Sequence, residues 1–112
     1  RKEAGEIDWT ASRAHIDRRV RAFQPWPLAY TFVPARKGRR RLAVLGVSPS
    51  ASAKDDSLPP GTVVRADPKQ GLIVQCGDGP LRLDTVRPEG RATMPGAAFV
   101  RGANLPAGAR LG

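Results

Sequence analysis

The stretch GTVVRADPKQGLIVQCGDGPLRLDTVR, residues 61–87, decides how the rest of the chain is read. It holds three runs of strand length, Gly61 to Asp67, Leu72 to Cys76 and Leu81 to Arg87. Between them stand Pro68-Lys69-Gln70-Gly71 and Gly77-Asp78-Gly79, residues that preset a bend or tolerate positive φ. Connections this short leave no room for a crossover helix, so the pattern is that of a small antiparallel barrel or sandwich and not of βαβ units.

Working toward the N-terminus, Leu28 to Val33 and Arg41 to Ser48 form a second strand pair across the basic turn Pro34-Ala35-Arg36-Lys37-Gly38-Arg39. Before it, Ile16, Val20 and Phe23 recur at i, i+4 and i+7, one stripe of a helix over Thr10 to Phe23. Thr10 or Ser12 can cap its start, and Pro25 and Pro27 forbid its continuation. Opposite the stripe lie Ala14, Arg18 and Arg21, with Asp17 placed to pair with Arg21 four residues on. Pro49 to Pro60 is polar and Pro-rich and reads as a mobile loop, not a domain boundary. Pro95 to Arg101 allows a short helix with Phe99 inward, stopped by Gly102. The expected core includes Ile16, Val20, Phe23, Trp26, Leu28, Val63, Ile73, Val74, Leu81 and Leu83. Trp26 is assigned as a core anchor of the helix exit and Trp9 as an N-terminal packing residue.

At 112 residues the chain is one module, large enough to hold a single core without metal or disulfide. No apolar run approaches the roughly 20 residues of a membrane span, and Arg1 to Asp8 lack the apolar segment of a secretory signal. With no membrane contact expected and one unpaired cysteine, a cytoplasmic address is the default, although a mature chain stripped of its signal would read the same. A lone His15 and a lone Cys76 cannot build a zinc site. His15 sits among Arg13, Arg18 and Arg19 with no serine elbow to activate, and Cys76 reads as a packed thiol. No complete active site is visible, and no cofactor is expected in this chain.

What remains is charge. Nineteen Lys and Arg against ten Asp and Glu give +9 at pH 7, and the excess is uneven. Trp9 to Ala53 carries nine basic residues against Asp17 alone. Fifteen of the nineteen cations are arginine, whose planar fork binds phosphate bidentately and stacks on bases. A polyanionic partner follows, nucleic acid first, although an arginine-rich coding bias and a merely solvated surface give the same composition.

Six separated strings share one resemblance: IDW (7–9), RAFQPWPLAYT (21–31), PGTVV (60–64), GLIVQCGDGPLRL (71–83), RPEGR (87–91) and FVRG (99–102). In this order and spacing the chain resembles the C-terminal domain of methionyl-tRNA formyltransferase. Gln24 stands where that family usually has Asn, Pro95 where it has a capping Ser, and Arg91 where it usually has Lys.

The resemblance implies a mainly β fold, a small antiparallel barrel of the oligonucleotide-binding type preceded by one α-helix and followed by a short C-terminal helix. Residues 1–9 are then the end of an interdomain linker and 10–112 the domain itself. It implies a parent enzyme that formylates the methionine of initiator methionyl-tRNA from 10-formyltetrahydrofolate, with the chemistry in an N-terminal catalytic domain and the tRNA held here by shape and charge.

The tRNA-binding candidates are Arg36, Lys37, Arg39, Arg40 and Arg41 in the hairpin, then Lys69, Arg87 and Arg91 at other turns. Arg18 on the helix is balanced between RNA contact and solvation, while Arg21 favours its structural pair. Each turn cation is equally readable as solvated, and exposed charges of that kind contribute little to stability. The alternatives are the same module in a relative with a non-RNA substrate, a free-standing nucleic-acid-binding barrel, or a brace for the catalytic domain.

Overall fold

The structure is a computed structural model and describes residues 4–51 and 55–112. Helix α1 (Arg13–Ala22) leads into strands β1 (Ala29–Pro34), β2 (Arg39–Pro49), β3 (Val63–Asp67), β4 (Gly71–Cys76), β5 (Gly79–Pro88) and β6 (Met94–Pro95), and helix α2 (Gly96–Ala103) follows. All pairings between these strands are antiparallel, in the order β1-β2-β5-β4-β3, with β6 on β5. The mainly β reading, with one helix before the sheet and a short one after it, therefore holds.

Strand β2 joins the two halves. Its first residues pair with β1 and its later ones with β5, and the register slips on either side of Gly46. Such irregularities bend a strand and let it serve two neighbours at different angles. The two ends of the sheet, β1 and β3, are both met by residues 108–112. On the β3 side the Val63 N–H donates to the Ala109 carbonyl and the Val63 carbonyl accepts from the Gly108 N–H, both at 2.8 Å, and the Gly112 N–H reaches the Phe32 carbonyl of β1 at 2.9 Å. Backbone groups that would otherwise form open edges are satisfied there.

Leu42, Val44, Val63, Leu72, Val74, Leu81, Leu83 and Val86 fill the interior. Helix α1 adds Ile16 and Val20, each worth roughly 1.5–3 kcal/mol when withdrawn from water, and α2 adds Phe99 and Val100. Two glycines permit these helices to sit close. A Cβ at Gly96 would collide with the Leu83 carbonyl oxygen under the start of α2, and one at Gly77 with the Thr10 carbonyl oxygen before α1. The region before α1 is packed as well. Ile7 and Trp9 are buried, Ile7 bonds to the Tyr30 carbonyl at 2.8 Å, and the Trp9 indole N–H donates to Thr31 Oγ1 at 3.0 Å. The packing of Trp9 agrees with its reading from the sequence. Residues 1–3, at the start of the expected linker, lie outside the described residues.

Several expectations need correction. The helix begins at Arg13 and not Thr10, because Ser12 is the cap, its hydroxyl accepting from the His15 N–H at 3.1 Å. Phe23 is only half-buried, beneath the Arg19 guanidinium. Trp26 is no core anchor: it is 82% exposed. The Leu28 N–H bonds to the Phe23 carbonyl at 3.0 Å, closing a tight turn that sends Leu28 inward and leaves Trp26 on the outside. Gly102 does not stop α2, which runs to Ala103 and ends at Asn104 in the left-handed region, φ 51°. In the Pro49–Pro60 stretch, strand β2 extends through Pro49, residues 52–54 lie outside the described residues, and residues 55–60 form neither helix nor strand.

Candidate nucleic-acid interface

The β1–β2 hairpin sorts its cations by strand parity. Pairing runs from Ala29 opposite Val44 to Pro34 opposite Arg39. Successive side chains alternate faces, so Arg39 and Arg41 share one face with Tyr30 and Phe32, and Arg40 shares the other with Val33, Leu42 and Val44.

On the outer face the arginines lie over aromatic rings. The Arg41 guanidinium carbon is 3.7 Å from the centroid of Tyr30 and that of Arg39 is 4.1 Å from the centroid of Phe32. The two rings meet edge to face at 5.7 Å. Arg39 also donates to the Gly112 carbonyl at 3.2 Å, tying the hairpin to the closing segment. Arg87, opposite Ala43 in the next strand pair, falls on the same face. Tyr30, Arg41, Arg87 and Glu89 line a recess of about 250 Å³ whose walls include Leu28 and Pro88. The Glu89 N–H bonds to the Arg41 carbonyl at 3.0 Å, which holds that acidic residue beside the arginine.

On the other face Arg40 has the parity of a core residue but lies at the end of the strand, half-buried. With Arg36 from the turn it lines a cleft of about 670 Å³ between the hairpin and the end of α2, where Phe99, Asn104 and Leu105 form the far wall. A smaller depression of about 190 Å³ continues past Arg40 to Arg91 and Met94. Among the described residues lining these two hollows there is no carboxylate.

The remaining candidates are elsewhere. Lys37 is exposed at the hairpin turn. Lys69 sits in the β3–β4 turn, where the Asp67 carboxylate accepts the Lys69 and Gln70 N–H groups at 2.9 and 2.6 Å, beside a depression shared with Arg82 and Asp84. Arg18 is exposed on α1, and Arg21 pairs with Asp17 at 3.4 Å, as the spacing expects. The hairpin thus brings Arg40 together with Arg36 at one hollow and with Arg91 at the next, and Arg41 together with Arg87 at the recess, with Arg39 on the same face as Arg41, but not Lys69 or Arg18.

Tyr30, Phe32 and Glu89 are part of this arrangement and escaped the sequence reading. The signal was present: aromatic residues two apart on one strand, and arginines two apart on the next. Cys76 is fully buried and its thiol is pushed up to about 12, chiefly by burial, with Asp78 adding and Arg13 opposing. It is a packed thiol, not a nucleophile at neutral pH. Among the described residues no group of three or more His, Cys, Asp or Glu is placed to hold a metal ion. Among the described residues no helix is long and apolar enough to cross a membrane.

An antiparallel sheet whose ends are bridged by residues 108–112, flanked by two helices and carrying arginines on both sides of one hairpin, defines a small β domain with a strongly basic end. Residues 1–104 match the formyl transferase, C-terminal domain family, and the chain belongs to that family. It is 43% identical to a methionyl-tRNA formyltransferase of Methylacidiphilum infernorum over its whole length and 36% identical to one of Gluconobacter oxydans over 98% of its length. The chain spans about a third of each of those proteins, 34% and 33%. A crystal structure of a HypX variant from Aquifex aeolicus superposes over 95% of this chain and 19% of that one, with a TM-score of 0.62 and 18% identity, a likeness of fold alone.

Proposed function

We propose that this chain is the tRNA-holding domain of a methionyl-tRNA formyltransferase, an oligonucleotide-binding type barrel that works in the cytoplasm beside an N-terminal catalytic domain. In this reading the catalytic domain takes the formyl group from 10-formyltetrahydrofolate, and this domain keeps initiator methionyl-tRNA in place. The observation that carries it is the hairpin cleft. Arg36 and Arg40 line a hollow of about 670 Å³ with no acidic residue among its described lining residues, so fixed positive charge there is not cancelled locally. Phosphate oxygens are the natural ligands of such guanidinium groups, and their contacts position an RNA without reading its sequence. The full-length methionyl-tRNA formyltransferases to which the chain is similar supply the substrate class.

The test is binding of initiator methionyl-tRNA by the chain across a salt series. Each phosphate contact releases condensed counterion, giving a log-log slope of roughly −0.7 to −0.9 per contact. Affinity that falls steeply with salt supports the reading; no binding, or binding indifferent to salt, overturns it. Initiator and elongator tRNA are expected to bind this domain alike, and the chain alone is expected to transfer no formyl group.

A further inference from the structure

The two sides of the hairpin differ in chemistry, and the difference assigns them different parts of a nucleic acid. The cleft side holds arginines without a carboxylate. The recess on the outer side holds Arg41 and Arg87 with Glu89 at the same rim and an apolar wall from Leu28 and Pro88. A phosphate entering it would meet the Glu89 carboxylate. A neutral, flat heterocycle would meet apolar side chains, two guanidinium groups and the Glu89 carboxylate, whose Oε1 accepts from the Arg41 backbone N–H at 3.5 Å and whose second oxygen is the acceptor on offer.

The Arg41 guanidinium carbon stands 3.7 Å from the centroid of the Tyr30 ring, within the range of a cation–π contact. The tyrosine ring lies on one side of this group, and Arg41 as a residue is exposed. Arginine planes held this way are surfaces on which unpaired RNA bases stack. The recess volume of about 250 Å³ is just under the roughly 300 Å³ at which ordinary small-molecule pockets begin, room for a single ring system.

We propose that this recess is a nucleobase site: it takes one unpaired base bearing an exocyclic amino group, stacked on Arg41 with the amine donating to the Glu89 carboxylate. Carboxylates accept from cytosine N4 in this manner, and uracil offers no such donor. The site deepens the tRNA-holding reading and rests on it. It adds selectivity for a single-stranded base to a domain otherwise held to RNA by charge.

The experiment uses the 112-residue chain and labelled RNA hexamers of cytidine and of uridine, equal in length and charge, at low salt. The expected result is tighter binding of the cytidine hexamer by several-fold. Arg41→Lys keeps the charge and loses the plane, so cytidine binding should weaken by about fivefold or more while the melting curve shows the protein folded. Glu89→Gln offers both a donor and an acceptor and should erase the preference for cytidine over uridine. Equal binding of the two hexamers, or an Arg41→Lys protein that binds like the original, overturns the base site. If those hexamers and initiator tRNA still bind with a steep salt dependence, only the base site has failed. If neither hexamers nor tRNA bind, the tRNA-holding reading has failed with it.

Discussion

The two sides of the β1–β2 hairpin use the same residue type for different ends. On the cleft side Arg36 and Arg40 flank an open hollow against α2, and Arg91 lies just beyond. On the outer side Arg39 and Arg41 are already engaged with Phe32 and Tyr30, and Glu89 stands close by. A guanidinium over an open cleft presents its charge to whatever enters. One laid on an aromatic ring is held in one orientation, covers apolar surface and offers a plane more than a point charge. Formal charge cannot tell these apart; cross-strand register can.

The largest effect should come from removing what the two sides share. Leu42 follows Arg41 in β2, is fully buried and lies opposite Thr31 and Pro88 in the flanking strands. Leu42→Ala should cost about 2–5 kcal/mol, a large part of the roughly 5–15 kcal/mol that hold an ordinary domain together. Calorimetry should show a melting temperature lower by on the order of 10 °C or more, and RNA binding through both surfaces should disappear together on warming. A loss below about 1 kcal/mol would mean that β2 is not the common support.

The next two variants separate the sides. Replacing Arg36, Arg40 and Arg91 together by Ala should flatten the salt slope of tRNA binding by about two to three units with a small change in stability. An unchanged slope would remove the cleft from the phosphate-binding surface. Arg39→Ala with Arg41→Ala should flatten the slope little, by less than about one unit, and should lower stability by about 1–2 kcal/mol. The sequence alone led to the opposite expectation for stability, that of solvated turn charges. Stacking changes it, because truncation uncovers rings that the arginines now shield. A double variant that melts like the original protein would show that the outer guanidinium groups are not held on the rings.

The fold was largely legible because short turns and strand-length runs over 61–87 leave few ways to pair the chain. Ile16 and Val20 likewise had to face inward, their spacing fixing one side of a helix. What escaped were features decided by single hydrogen bonds or by partners far away in sequence. Ser12 and Thr10 are both acceptable caps, and hydrogen bonds distinguish them: Ser12 accepts from the His15 N–H, while the Thr10 hydroxyl donates to the Asp8 carboxylate. Gly102 could stop a helix, yet Asn104 two residues later takes the left-handed conformation. The closing segment 108–112 carries no strand pattern because it meets two different edges over five residues. The hairpin cations were legible as a group, but their division between two faces depends on register, which composition does not carry.

The smallest effect is expected at Trp26, and it sharpens the same comparison. A tryptophan between two prolines at a helix exit reads as an anchor, and burial of its large ring would then support the first strand. In the structure Leu28 fills that role with 4% of its surface exposed, while Trp26 is 82% exposed. Its neighbour Pro27 belongs to the outer recess and not to the core. Trp26→Ala should therefore alter stability by no more than about 0.5 kcal/mol, the range of surface substitutions. Trp9→Ala, which removes a ring that is 4% exposed and hydrogen-bonded to Thr31, should cost about 3–5 kcal/mol in the same denaturant titration. Fluorescence gives a second reading of the pair: acrylamide should quench the Trp26 component and leave that of Trp9 nearly untouched. A Trp26→Ala protein destabilised by more than about 1 kcal/mol would show that the ring is covered in solution and would restore it as an anchor of the turn.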